Sequence, residues 1–97
     1  MKQNIITALD IGSSNIRCII AKIKTPEHIE VLGISQNPSE GIEKGIVKDI
    51  QAVAEAVKKT IKEAENAAST KAINIFTNVT GEHIRTVLSD GRISIPT

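Results

Sequence analysis

The sequence predicts an α/β domain with a βββαβ order and a mixed sheet, and three observations predict it. Three runs rich in β-branched residues follow one another, each closed by turn residues. Apolar residues then switch to helical spacing after residue 49, and a fourth apolar run follows the helix. Strands joined by short turns pair antiparallel, whereas a strand reached through a helix returns parallel, so one sheet holds both senses.

Residues 4–9 form a nearly continuous apolar run closed by Asp10, the pattern of a strand buried on both faces and central in its sheet. Residues 16–23 make the second strand, and the Gly12-containing segment between the two suits a hairpin. The third, residues 29–35, follows the turn Thr25-Pro26-Glu27-His28, where Pro26 has its φ already set for the second turn position. These three read as an antiparallel meander. Residues 37–47 hold Pro38, Gly41 and Gly45, and read as a surface loop tethered by Ile42, Ile46 and Val47.

Asp49 is the expected N-cap of a helix. Ile50, Val53, Ala54, Val57, Ile61 and Ala64 recur at spacings of three, four and seven, which places them on one stripe of about five turns. Glu55 and Lys59 pair on the wet face, and the helix stops near residues 68–70. Residues 72–79 form the fourth strand. Beyond Gly81, residues 84–95 read either as a hairpin turning at Asp90-Gly91 or as one longer strand bulged there.

With 97 residues the chain fits one small domain with a modest core. That core is aliphatic, because Phe76 is the only aromatic residue, which argues against stacking on bases. Twelve basic and eleven acidic residues leave a charge of +1, so no field points toward nucleic acid or an acidic membrane. Cys18, the single cysteine, lies in an aliphatic run and reads as a buried, inert thiol in a reducing cytoplasm. The first nine residues are too short and polar for a signal peptide or a membrane span, and the chain reads as cytosolic.

The stretch Leu9-Asp-Ile-Gly-Ser-Ser-Asn-Ile-Arg17 carries the chemistry. It is a strand ending in an acid, a glycine turn and a second strand. Asp10 offers a carboxylate for a hydrated Mg²⁺, Gly12 lets the backbone approach an anion, and Ser13, Ser14 and Asn15 supply N–H, hydroxyl and amide donors. An ordinary hairpin turn, with glycine at positive φ and small polar side chains capping their own backbone, accounts for the same residues.

Other candidates have plainer explanations. Glu82 and His83 are adjacent and cannot converge on one ion from a strand, His28 sits in a polar turn, and Asp49 is explained by capping. Lys58, Lys59 and Lys62 lie among Glu55, Glu63 and Glu65, as on a solvated face. No residue is readable as catalytic.

Three further stretches join the glycine turn: Gly41-Ile-Glu-Lys-Gly-Ile-Val-Lys-Asp49, the amphipathic helix, and Asn78-Val-Thr-Gly-Glu-His-Ile84. Together, in this order, they resemble the start of the bacterial cell-division FtsA family, membrane-tethering relatives of actin; pilus-assembly actin homologues are the next nearest pattern. The resemblance implies an actin-like (ribonuclease H-like) subdomain over residues 1–82 and the beginning of an inserted FtsA-type subdomain over residues 83–97. It implies that Asp10, Gly12, Ser13, Ser14 and Asn15 contact ATP, with Asp10 positioning Mg²⁺ through water. It also implies self-polymerisation, a partner in the tubulin-like protein FtsZ, and a place at the inner face of the cell membrane, reached through a C-terminal amphipathic helix outside these residues.

The chain departs from the family at two points. Where the family commonly has Thr-Ser-Lys after the glycine, Ser13, Ser14 and Asn15 stand here, so the hydroxyls are kept and a cation is missing. Family members run to several hundred residues, so the chain reads as an N-terminal part without the second phosphate loop, the adenosine pocket or a catalytic acid. A non-enzymatic interaction module that kept the fold is the alternative.

Overall fold

The computed structural model describes residues 4–78. Strand β1 (Ile5–Ile11) turns through residues 12–14 into β2 (Asn15–Thr25), which turns into β3 (His28–Pro38). A two-residue ribbon follows, β4 (Ile42–Glu43) and β5 (Ile46–Val47), then helix α1 (Ile50–Ala68) and strand β6 (Ile75–Thr77). The main sheet has the order β3-β2-β1-β6, antiparallel along the meander and parallel between β1 and β6. The βββαβ order and the mixed sheet are therefore as the sequence predicts.

Helix α1 lies across one face of the sheet. Asp49 caps it, its Oδ1 accepting from the Gln51 and Ala52 N–H groups at 3.1 and 3.2 Å, and Ser69 closes it in the left-handed conformation. Val53, Val57 and Ala64 bury against Ile5, Leu9 and Ile11 of β1, Ile16, Cys18 and Ile20 of β2, and Ile75 of β6. Each fully buried aliphatic side chain contributes on the order of 1.5–3 kcal/mol, so this layer is the main stabilising contact.

The stripe differs from its sequence reading at Thr60, which is fully buried where apolar periodicity favours Ile50, Ala54 and Ile61. Thr60 can sink because its polar atoms are satisfied. Its hydroxyl donates to the Ala56 carbonyl at 2.7 Å and accepts from Asn37 Nδ2 at 2.9 Å, while its carbonyl accepts from Ser35 Oγ. The helix and β3 also approach closely at Gly33, where a Cβ would stand 2.7 Å from the Ala64 carbonyl oxygen.

Four expectations are corrected. Strand β1 is central, but only one of its faces is buried: Ile5, Thr7, Leu9 and Ile11 lie under the helix, while Ala8 and Asp10 are exposed. The open face carries Phe76, Ala8, Ile19 and Ile34 in one line across all four strands. Residues 37–47 are not simply a loop, since β3 runs through Pro38 and the remainder folds into the ribbon, with Ile46 exposed rather than tethering it. Glu55 and Lys59 form no ion pair; among the described residues the pair is Lys24–Glu30, at 3.2 Å.

The fourth correction is the length of the last strand. Backbone pairing of β6 covers three residues rather than residues 72–79, because asparagine side chains replace backbone at its ends. Asn74, at φ 54°, donates its amide to the Ile5 carbonyl at 3.0 Å. At the other end Asn78 Oδ1 accepts from the Ile11 N–H at 2.9 Å, and Nδ2 donates to the Ile11 carbonyl at 3.3 Å. The alternatives for residues 84–95, the Glu82-His83 pair and the start of an inserted subdomain lie outside the described residues.

Candidate functional site

The β1–β2 hairpin brings Asp10, Gly12, Ser13, Ser14 and Asn15 together at one end of the sheet by adjacency alone. Gly12 donates its N–H to the Asn15 carbonyl at 3.0 Å, leaving Ser13 and Ser14 as an exposed two-residue tip. Gly12 is not at positive φ, contrary to the plain-turn reading. Glycine is favoured there by contact, because a Cβ would stand 3.2 Å from the Asn15 carbonyl oxygen and press on it.

Among the described residues the N–H groups of Ser13 and Ser14 have no protein acceptor, and the Ser14 hydroxyl and Asn15 amide have no protein partner. Successive free N–H groups in a turn make a concavity for an anion. The Asp10 carboxylate is exposed and makes no ion pair within the described residues. Arg17 faces it from β2 in the pairing register, with its Nε donating to Gln36 Oε1 at 2.9 Å. A lone exposed carboxylate beside anion donors fits Mg²⁺ held through water, an ion that takes one or two carboxylates and completes its shell with water and phosphate oxygens.

Three residues not assigned to the site by sequence reasoning hold this turn. Ser39 donates its hydroxyl to the Gly12 carbonyl and its N–H to the Ser14 carbonyl, the latter at 2.9 Å. Gly45 donates its N–H to Ser13 Oγ at 2.8 Å. Asn78 holds Ile11, the residue between Asp10 and Gly12, through both backbone groups. Gly45 and Asn78 stand in the stretches that carry the family resemblance, but no local pattern links either to the turn; Ser39 gives no signal of its own.

The ribbon that delivers Gly45 has a two-residue tip, Lys44-Gly45, with φ of 50° and 79°. Positive φ at both central positions is the type I′ pattern, which favours Asn, Asp or Gly at the first. A lysine there costs roughly 1 kcal/mol of backbone strain.

A family model described as cell division protein FtsA matches residues 7–95. The chain belongs to the FtsA family. This FtsA-family chain is 34% identical over 94 residues to the cell division protein FtsA of Neisseria meningitidis serogroup B, covering 97% of the chain and 23% of that relative. To the FtsA of Pseudomonas aeruginosa it is 32% identical over 90 residues, or 93% of the chain and 22% of the relative. It thus spans about a quarter of the length of these curated relatives.

Among solved structures it superposes on the ethanolamine utilization protein EutJ from Carboxydothermus hydrogenoformans with a TM-score of 0.69 at 13% identity, over 98% of the chain and 37% of EutJ. It superposes on the ROK hexokinase from Thermus thermophilus with a TM-score of 0.64 at 18% identity, over 95% of the chain and 34% of the hexokinase. At such identities the likeness concerns the fold, which is the actin-like type. Among the described residues no helix is long and apolar enough to cross a membrane.

Proposed function

We propose that this FtsA-family chain supplies the first phosphate-binding turn of an ATP-binding actin homologue in bacterial cell division. Residues 1–82 form its first actin-like subdomain and residues 83–97 begin the inserted one. The observation that carries the reading is the Ser13-Ser14 tip, where two N–H groups and the neighbouring Asp10 carboxylate have no partner among the described residues. In it the backbone N–H groups and the serine hydroxyls hold the terminal phosphates, and Asn15 adds an amide donor. Mg²⁺, when bound, neutralises phosphate charge, and Asp10 orients its water shell.

The second wall of the cleft comes from polypeptide that the longer relatives possess. So do the contacts by which the intact protein polymerises, meets FtsZ and reaches the inner face of the membrane. Family membership supports this cellular role, and the fold supports a nucleotide cleft.

Substituting Asp10→Ala in the intact protein is expected to weaken MgATP binding about tenfold or more, since a charge-assisted contact is lost. Adenosine, which lacks phosphate, should bind as before. Calorimetric titration with both ligands decides the matter: unchanged MgATP affinity removes the phosphate assignment.

A further inference from the structure

Resting on the ATP-binding reading, we infer that Lys44 supplies the cation for the nucleotide phosphates held at the Ser13-Ser14 tip. Residues 12–15 of the turn carry no positive charge, Asp10 adds a negative one, and Arg17, opposite Asp10 on β2, has its Nε–H engaged by Gln36 Oε1. The geometry brings a cation from elsewhere. Gly45 N–H lies 2.8 Å from Ser13 Oγ, and Lys44 is the residue before it. With backbone bonds of about 1.5 Å, the Lys44 Cα stands within about 5 Å of that hydroxyl oxygen. A four-carbon stem is long enough to bring the ammonium to an anion that Ser13 touches.

One feature separates Lys44 from an ordinary surface lysine. It occupies the first central position of a type I′ turn, where asparagine or glycine relieves the backbone, so the turn itself does not call for lysine. Like Lys48, Lys58, Lys59, Lys62 and Lys71 it is exposed with no carboxylate partner among the described residues, so its ammonium is available to a ligand. An uncommitted ammonium on the residue before Gly45, and a Ser13 hydroxyl whose oxygen already accepts from Gly45, supply one N⁺ charge and one O–H donor suited to the same ligand class.

The test is MgATP affinity of the intact protein at two ionic strengths, with Lys44→Asn, Lys44→Arg and Lys48→Asn. Asparagine suits the turn, so Lys44→Asn removes charge without unfolding the ribbon. It is expected to weaken MgATP about three- to tenfold and to flatten the salt dependence, while adenosine binding stays unchanged. Lys44→Arg should restore most of the affinity. Lys48→Asn, which takes the same charge from the base of the ribbon, should bind as wild type.

Wild-type affinity and salt slope in Lys44→Asn, or an equal loss in Lys48→Asn, overturns the inference. If Asp10→Ala is silent as well, the ATP-binding reading falls with it. If Asp10→Ala alone is impaired, the phosphate turn stands and Lys44 is not its cation.

Discussion

Cys18 illustrates how far a single residue can be understood from its surroundings. It is fully buried on the helix-facing side of β2, and burial, with the Glu65 carboxylate adding to it, raises its pKa from 9.0 to about 11. Below pH 9 the thiol is neutral in the folded and unfolded chains alike, and the stability linked to it is fully present. Between pH 9 and about 11 the unfolded chain gives up the proton first, so stability falls as pH rises. Near pH 8 the native protein should hold roughly 100-fold less thiolate than the denatured chain, and alkylation by iodoacetamide should slow at least that much. Equal rates in buffer and in urea would contradict its burial. Its burial is legible from the aliphatic run around it. The residues of the turn were legible for a similar reason, since Asp10 to Asn15 are neighbours in the chain. The φ of Gly12 was not, because a glycine selected by contact with a carbonyl reads the same as one selected by positive φ.

At the scale of elements, periodicity located α1, and the expected capping acid is the observed one. It did not reveal how closely the helix sits on β3. That separation is set by Gly33, whose missing side chain admits the Ala64 carbonyl and the Ala68 N–H. Gly33→Ala places a Cβ against helix backbone that cannot rotate away, and is expected to cost about 1–3 kcal/mol. A lowered urea midpoint at unchanged m-value would show it; a wild-type midpoint would mean the helix moves aside freely. Thr60 was missed on the same helix because hydropathy patterns exclude polar residues from a stripe, whereas burial asks only that the polar atoms find partners. The ribbon reads as a loop in the sequence because two-residue strands are shorter than any alternation that could announce them.

For the molecule as a whole, the decisive contacts join distant parts of the chain. Asn78 reaches Ile11 across 67 residues and Gly45 reaches Ser13 across 32. Replacing Asn78 by Leu leaves the Ile11 N–H and carbonyl without their partners, and should destabilise the protein by about 1–3 kcal/mol, measured by urea unfolding. An unchanged midpoint would mean that water replaces the amide at no cost. The open sheet face, with Phe76 and Ile34 46% and 57% exposed, likewise came from topology: an apolar run in β1 reads as two-sided burial whether or not a second layer covers it. The sequence by itself determined the order of elements, the helix with its cap, the mixed sense of the sheet and the cluster from Asp10 to Asn15. Each depends on residues a few positions apart, where periodicity and turn chemistry act. Only the tertiary structure decided which face of the sheet is covered, that β6 lies beside β1, and that Ser39, Gly45 and Asn78 secure the turn while Lys44 stands within reach of it. Those outcomes depend on which strands become neighbours, a choice made by burial of the whole core rather than by any local stretch of chain.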